Sequence, residues 1–114
     1  MPFLQILTNI TVSPADQDTL LTQAPQLVSD HLGKDEKYFM AHLQPDQTMR
    51  FGGSDAPLAF LSLKALGLPA DKTTDLSAAL CSLVTNTLAV PAERIYVEFT
   101  NAERGMWGWN GGVF

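Results

Sequence analysis

A chain of 114 residues with 46% apolar and only 17% charged side chains is long enough for one domain with a core, which excludes a disordered chain. Its net charge of −5 argues against a nucleic-acid binder, which needs clustered Lys and Arg, and equally against an anionic membrane surface. A lone cysteine, no apolar run near the ~20 residues of a spanning helix and no signal peptide point to the cytoplasm, any export taking a non-classical route.

The chain opens MPFLQILTNI, where Phe3 to Asn9 predicts a strand. Pro2 has two readings. Proline lacks a ladder donor and is at home as the first residue of a strand. Alternatively its small size lets a processing aminopeptidase remove Met1, leaving a secondary amine that is a capable base once deprotonated. Position alone leaves both open. Asn9-Ile10-Thr11 matches a glycosylation sequon, to which a chain without a signal peptide gives little weight.

Ser13-Pro14-Ala15-Asp16 predicts a helix start, with Ser13 as N-cap and Pro14 at the first helical position. Leu20, Ala24, Leu27, Val28 and His31 recur at helical spacing, and Gly33 closes the segment. Pro25 inside this pattern costs ~3 kcal/mol and predicts a kink rather than a break. A second strand is expected over Phe39 to Leu43. Gly52-Gly53-Ser54 lacks the lysine and the spacing of a phosphate loop.

Leu58 to Leu66 predicts a third strand, and Leu76, Ala79, Leu80, Leu83, Val84, Thr87 and Leu88 mark one stripe of a second helix. Cys81 lies near that stripe and reads as core. Ile95 to Thr100 predicts the fourth strand. If Met106 to Asn110 is extended, Trp107 and Trp109 share a face, either as aromatic pocket walls or as an interface strand. His31 and His42 have no acid and nucleophile arranged around them and read as structural.

The order repeats. Pro14-Ala15-Asp16 recurs 55 residues later as Pro69-Ala70-Asp71, and Pro2 recurs as Pro57. Glu36-Lys37-Tyr38-Phe39 resembles Glu93-Arg94-Ile95-Tyr96. The halves, about 2–56 and 57–114, form one domain. Two strand-helix-strand units with right-handed crossovers predict an α+β fold: a four-stranded mixed sheet with two pseudo-twofold-related helices on one face. FLQIL, LAFLSL and IYVEF read as apolar on both faces, and two helices cover only one. A second copy of the chain is the expected cover.

Taken together, MPFLQILTN, GKDEKY, PDQTMRFGGS, PAERIYVEF and GMWGWNGGVF resemble the macrophage migration inhibitory factor family of the tautomerase superfamily over essentially the whole chain. The resemblance implies homotrimers whose sheets wrap into a barrel, with sites at the subunit interfaces. It also implies cofactor-independent, metal-free keto–enol tautomerisation of small phenylpyruvate-like and dopachrome-like substrates. Some members act as extracellular cytokines, so the alternative is a receptor-binding protein with a vestigial pocket. In that frame Pro2 is the catalytic base, since burial disfavours the cation of an α-amine that ordinarily titrates near ~7.7–8.0. Lys34 holds the substrate carboxylate, with the backbone amide of Leu66 beside it. Tyr96 reaches the site from the neighbouring subunit, and Trp107, Trp109, Phe114, Tyr38 and Phe3 form wall and rim. Glu98, two residues after Tyr96 and on its face, replaces the family's asparagine. A carboxylate there would raise the amine's pKa or select substrates with distal donors. Where the family's thiol-redox motif would fall stand Leu58 and Leu61, so no thiol–disulfide exchange is expected.

Overall fold

The computed structural model describes residues 1–114. Strand β1 (Phe3–Thr8) leads into helix α1 (Pro14–Leu32), a 3₁₀ turn (Glu36–Tyr38) and strand β2 (Met40–Gln44). The second unit runs β3 (Ala59–Leu66), a 3₁₀ turn (Ala70–Lys72), helix α2 (Thr73–Leu88), a 3₁₀ turn (Ala92–Arg94) and β4 (Ile95–Ala102). Two short strands, β5 (Gly108–Trp109) and β6 (Gly112–Val113), close the chain as a hairpin. In the main sheet β1 pairs parallel with β2 and β3 parallel with β4. The units meet where β1 runs antiparallel to β3, giving the order β2-β1-β3-β4. This is the expected mixed sheet of two β-α-β units.

Local chemistry explains the elements. Ser13 Oγ accepts a hydrogen bond from the Asp16 amide at 3.1 Å, satisfying one free donor at the start of α1. At the other end Gly33 takes φ = 63°, a left-handed value that glycine adopts without a Cβ clash. Helix α1 runs unbroken through the buried Pro25. The repeated Pro-Ala-Asp behaves differently in its two copies. Pro14 starts α1 directly, whereas Pro69 precedes a 3₁₀ turn and α2 starts only at Thr73.

Alternate strand residues build the core. Leu4 and Ile6 of β1 and Leu61 and Leu63 of β3 lie under Leu20, Ala24 and Val28 of α1 and Leu76, Leu80 and Val84 of α2. Each such fully buried leucine or valine contributes roughly 1.5–3 kcal/mol relative to an exposed one. At the rim of the sheet the Arg94 guanidinium donates to the carbonyls of Phe51, Ser54, Ala56 and Pro57 at 3.0–3.2 Å, tying the long β2–β3 connection to the start of β4.

The sheet's other face carries no helix, and the expectation that it is apolar holds only in part. The register sets His42, Gln5, Ser62 and Glu98 in one polar row across all four strands. Gln5 Nε2 donates to Gln44 Oε1 at 3.3 Å and meets His42 Nδ1 at 3.5 Å. Rows on either side carry Phe3, Met40, Lys64 and Thr100, and Leu7, Gln44, Phe60 and Tyr96. Strand-wide apolar content overstates this face because Gln5, Ser62, Lys64, Glu98 and Thr100 fall on it, while Leu4, Ile6, Leu61 and Leu63 take the helix-covered side.

Candidate active site

The chain start is drawn into the sheet. Pro2 is fully buried, and its carbonyl accepts a hydrogen bond from the Met40 amide at 3.0 Å, anchoring it beside the start of β2. In this chain its nitrogen is an amide, and the free amine belongs to Met1. Burial pulls that amine below its ordinary value of 8.0, and the nearby Lys34 charge pulls it further the same way.

Lys34 is placed by the helix end that Gly33 creates. Its backbone amide donates to the Ser29 carbonyl at 3.1 Å, so the residue leaves α1 in a fixed direction. Its half-buried side chain crosses to the end of β3, where Nζ lies 3.8 Å from where a Cβ on Gly67 would stand. Continuing the β1–β3 register brings Leu66 opposite Met1. Lys34, Leu66 and Gly67 line a cavity of about 420 Å³ together with Met1, Asn101, Ala102, Glu103, Arg104 and Phe114.

A second cavity, of about 660 Å³, lies on the other side of Met1 and Phe114, which line both. Its wall is aromatic. Phe114 stacks on Trp109 at 5.2 Å between ring centres, and Tyr38 meets Trp109 and Phe114 edge-on at 5.5 and 5.8 Å. Phe3, Met40 and Trp107 complete the apolar lining, and Lys37 and Lys64 face the same space. The 3₁₀ turn presents Tyr38, its start pinned by Asp35 Oδ1 accepting from the Lys37 amide at 2.9 Å. The β5–β6 hairpin presents Trp109. Its turn residues Asn110 and Gly111 have φ of 51° and 77°, the left-handed pair that a two-residue hairpin turn requires. Phe114 is held by its amide, which donates to the Trp107 carbonyl at 3.1 Å.

The structure thus brings Pro2, Lys34, Leu66, Phe3, Tyr38, Trp107, Trp109 and Phe114 around two adjoining cavities. Tyr96 and Glu98 are not among them. Both lie exposed on the helix-free face, with Tyr96 against Phe51 at 4.8 Å and lining a separate cavity of about 250 Å³. Tyr96 pairs with Phe60, four residues along β3 from Lys64, roughly 13 Å away at strand rise. Within one chain these two residues do not join Pro2. His31 donates from Nδ1 to the Leu27 carbonyl at 2.9 Å, a capping role inside α1, and Cys81 packs half-buried against the core. Four charged or flexible lining residues have no role assigned from sequence: Lys37 and Met106, which lie inside GKDEKY and GMWGWNGGVF, and Lys64 and Arg104, which lie outside every motif quoted above, Arg104 directly before the last. For Lys64 a signal was available, since alternation in LSLKAL puts it on the face opposite Leu63.

The chain matches the sequence profile of macrophage migration inhibitory factor (MIF) over residues 1–114. It is 34% identical to the macrophage migration inhibitory factor of Xenopus tropicalis, an alignment covering 100% of this chain and 99% of that one. A homolog from Brugia malayi is 35% identical at the same coverage. The crystal structure of a homologue from Prochlorococcus marinus superposes with a TM-score of 0.93 at 31% identity, covering 98% of both chains. The Toxoplasma gondii protein gives 0.92 at 34% identity, covering 98% of this chain and 99% of its own.

Proposed function

The chain belongs to the macrophage migration inhibitory factor family, a branch of the tautomerase superfamily, and we propose that it is a cofactor-independent keto–enol tautomerase of phenylpyruvate-like acids, with dopachrome-like compounds as further substrates. One observation carries this reading. Met1 sits at the junction of a cavity bearing Lys34 and a cavity walled by Tyr38, Trp109 and Phe114, directly on the nitrogen of buried Pro2. Removal of Met1 joins the two spaces and frees a secondary amine between a carboxylate site and an aryl site.

The chemistry follows from those positions. The causes that lower the Met1 amine, burial first and Lys34 second, would act on a freed Pro2 amine in the same direction. A neutral nitrogen takes a proton from C3 of the bound keto acid. The C–H electron pair becomes the C2–C3 double bond, the carbonyl pair moves to oxygen, and that oxygen takes up a proton. Ketonisation runs the same steps backwards. Lys34 pairs with the carboxylate and stabilises the enolate oxygen as charge develops, while the aromatic wall stacks on the aryl group and excludes water. Leu66 contributes through its backbone, and Trp107 and Phe3 through packing.

We place these sites at the interfaces of a homotrimer, where Tyr96 and Glu98 of a neighbour complete the mouth. Their exposure on the uncovered sheet face, away from Pro2 of their own chain, supports that arrangement. A second reading, a receptor-binding signal with a vestigial pocket, is supported by the names of the relatives.

Phenylpyruvate ketonisation, followed by absorbance on chains whose N-terminus is fixed by mass spectrometry, separates the two. The processed chain should turn over at least ~10²-fold faster than a chain retaining Met1, the lower end of what a general base supplies. Pro2→Gly should fall between them. Equal rates with and without Met1 would return Pro2 to the role of a strand's first residue, and a soluble trimer without turnover would favour the signal.

A further inference from the structure

The two cavities gather positive charge in an acidic protein. Lys34 and Arg104 line the first and Lys37 and Lys64 the second, four of the chain's seven Lys and Arg residues. Of its twelve Asp and Glu residues, Glu103 alone lines either cavity. The only ion pair within 4 Å joins Lys37 to Asp35, at 3.9 Å and open to water, so Lys34, Lys64 and Arg104 have no carboxylate partner. Counting Glu103, the α-carboxylate of Phe114, which lines both cavities, and a neighbour's Glu98 at the mouth, cations still outnumber carboxylates four to three.

A single carboxylate needs one such group. Four cations around one site repel each other, and that arrangement is stabilised when anions enter it. Their division between the cavities is informative. Lys34 and Arg104 stand by the end of β3, where the 2-oxo carboxylate is placed. Lys37 holds its ammonium 5.0 Å from the centre of the Tyr38 ring, on the aromatic wall, and Lys64 projects beside Phe3 on the floor of the same cavity. An aryl group stacked on that wall therefore directs its far end to two lysines.

We propose that the substrate is a dianion: an aromatic 2-oxo acid whose ring carries a second anionic group, held by Lys37 and Lys64 while Lys34 and Arg104 hold the 2-oxo carboxylate. This deepens the tautomerase reading and rests on it for the reaction.

The test compares phenylpyruvate with (4-carboxyphenyl)pyruvate on the Met1-free chain. At low salt kcat/KM should favour the dianion by about tenfold, the scale on which a focused field raises encounter with an anion. The ratio should shrink toward one in a Lys37→Gln/Lys64→Gln double variant and, in the unaltered protein, at about 0.5 M NaCl, where exposed charges are screened. Arg104→Gln should lower both substrates alike, because it meets the group they share. A ratio near one at low salt, or one that survives both the double variant and salt, overturns the dianion. If neither compound turns over, the tautomerase reading fails instead, and calorimetric titration with the same two compounds still decides the class. Tighter binding of (4-carboxyphenyl)pyruvate that the double variant abolishes upholds it, and equal binding overturns it.

Discussion

Phe114→Ala tests whether the C-terminal hairpin is a wall of the site or part of the core. The ring makes two aromatic contacts, stacked on Trp109 at 5.2 Å and edge-on to Tyr38 at 5.8 Å. Such pairs are worth about 0.5–1.5 kcal/mol each beyond their buried area, so the truncation loosens the wall by about 1–3 kcal/mol. At 1.4 kcal/mol per decade, that corresponds to a loss of about 5- to 140-fold in kcat/KM for an aryl substrate. The backbone anchor from Phe114 to the Trp107 carbonyl survives, since alanine keeps the amide. No residue from 101 to 114 is buried, and the β5–β6 hairpin lies outside the main sheet. If the hairpin opens independently of the core, the thermal midpoint should move by less than about 2 °C, well short of the roughly 4 °C per kcal/mol that losing the same contacts inside the core would give. Phenylpyruvate kinetics and a melting curve on the same preparation read both quantities. Kinetics within twofold of the parent would refute the wall. A large fall in midpoint would refute the separation of hairpin from core.

Lys34→Ala should weaken carboxylate substrates by about tenfold or more in kcat/KM with the melting curve unchanged, and an unaltered value would make Lys34 an ordinary solvated lysine. In the Met1-bearing chain the same variant should raise the amine pKa toward 8.0 without reaching it, because burial is the larger cause; full restoration in an NMR titration would contradict that ranking. The lowered amine also carries a pH signature. Between its folded value and 8.0 the unfolded chain binds the proton and the folded chain does not, so stability rises with pH through that window and is lost as pH falls through the folded value. Urea midpoints should show this rise relative to an N-acetylated chain, and parallel curves would count against it. Leu80→Ala should cost about 2–5 kcal/mol in urea unfolding, since Leu80 is fully buried between helix and sheet. Sedimentation at micromolar concentration should give a trimer, and a well-folded monomer would remove the shared site.

Much of the fold was legible because it is written in local chemistry. Ser13, Pro14 and Gly33 bound α1 to the residue, and the short apolar runs located β1 and β3 within one residue at either end. Strand β2 runs one residue later than expected, up to the Pro45-Asp46 turn, and β4 two residues longer. The hairpin was missed although Asn110-Gly111 is a strong turn pair, because the glycines around Trp107 and Trp109 dilute any strand pattern. Pro2 could be suspected from position, and Lys34 from its register after the helix. Lys37, Lys64 and Arg104 could not be gathered from sequence. They come from a turn, a strand and a loop, and only the folded chain brings them to one place. Apolar letters in three strands also promised a more apolar second face than exists, since which face a residue occupies depends on register rather than on count.

The single antiparallel seam between β1 and β3 has a consequence of its own. Each unit offers its partner the inner edge of its first strand, and no other strand crosses between them. A chain cut between β2 and β3 would leave two fragments, each with a long unsatisfied edge beside its helix. Antiparallel pairing is its own mirror under rotation, so two copies of one fragment can close that edge as β1 against β1. Joining the fragments in one polypeptide replaces an association set by protein concentration with one fixed at an effective concentration of about millimolar. The long connection that Arg94 clasps is then the tether of an intramolecular dimer, and its length costs little next to the dilution it abolishes.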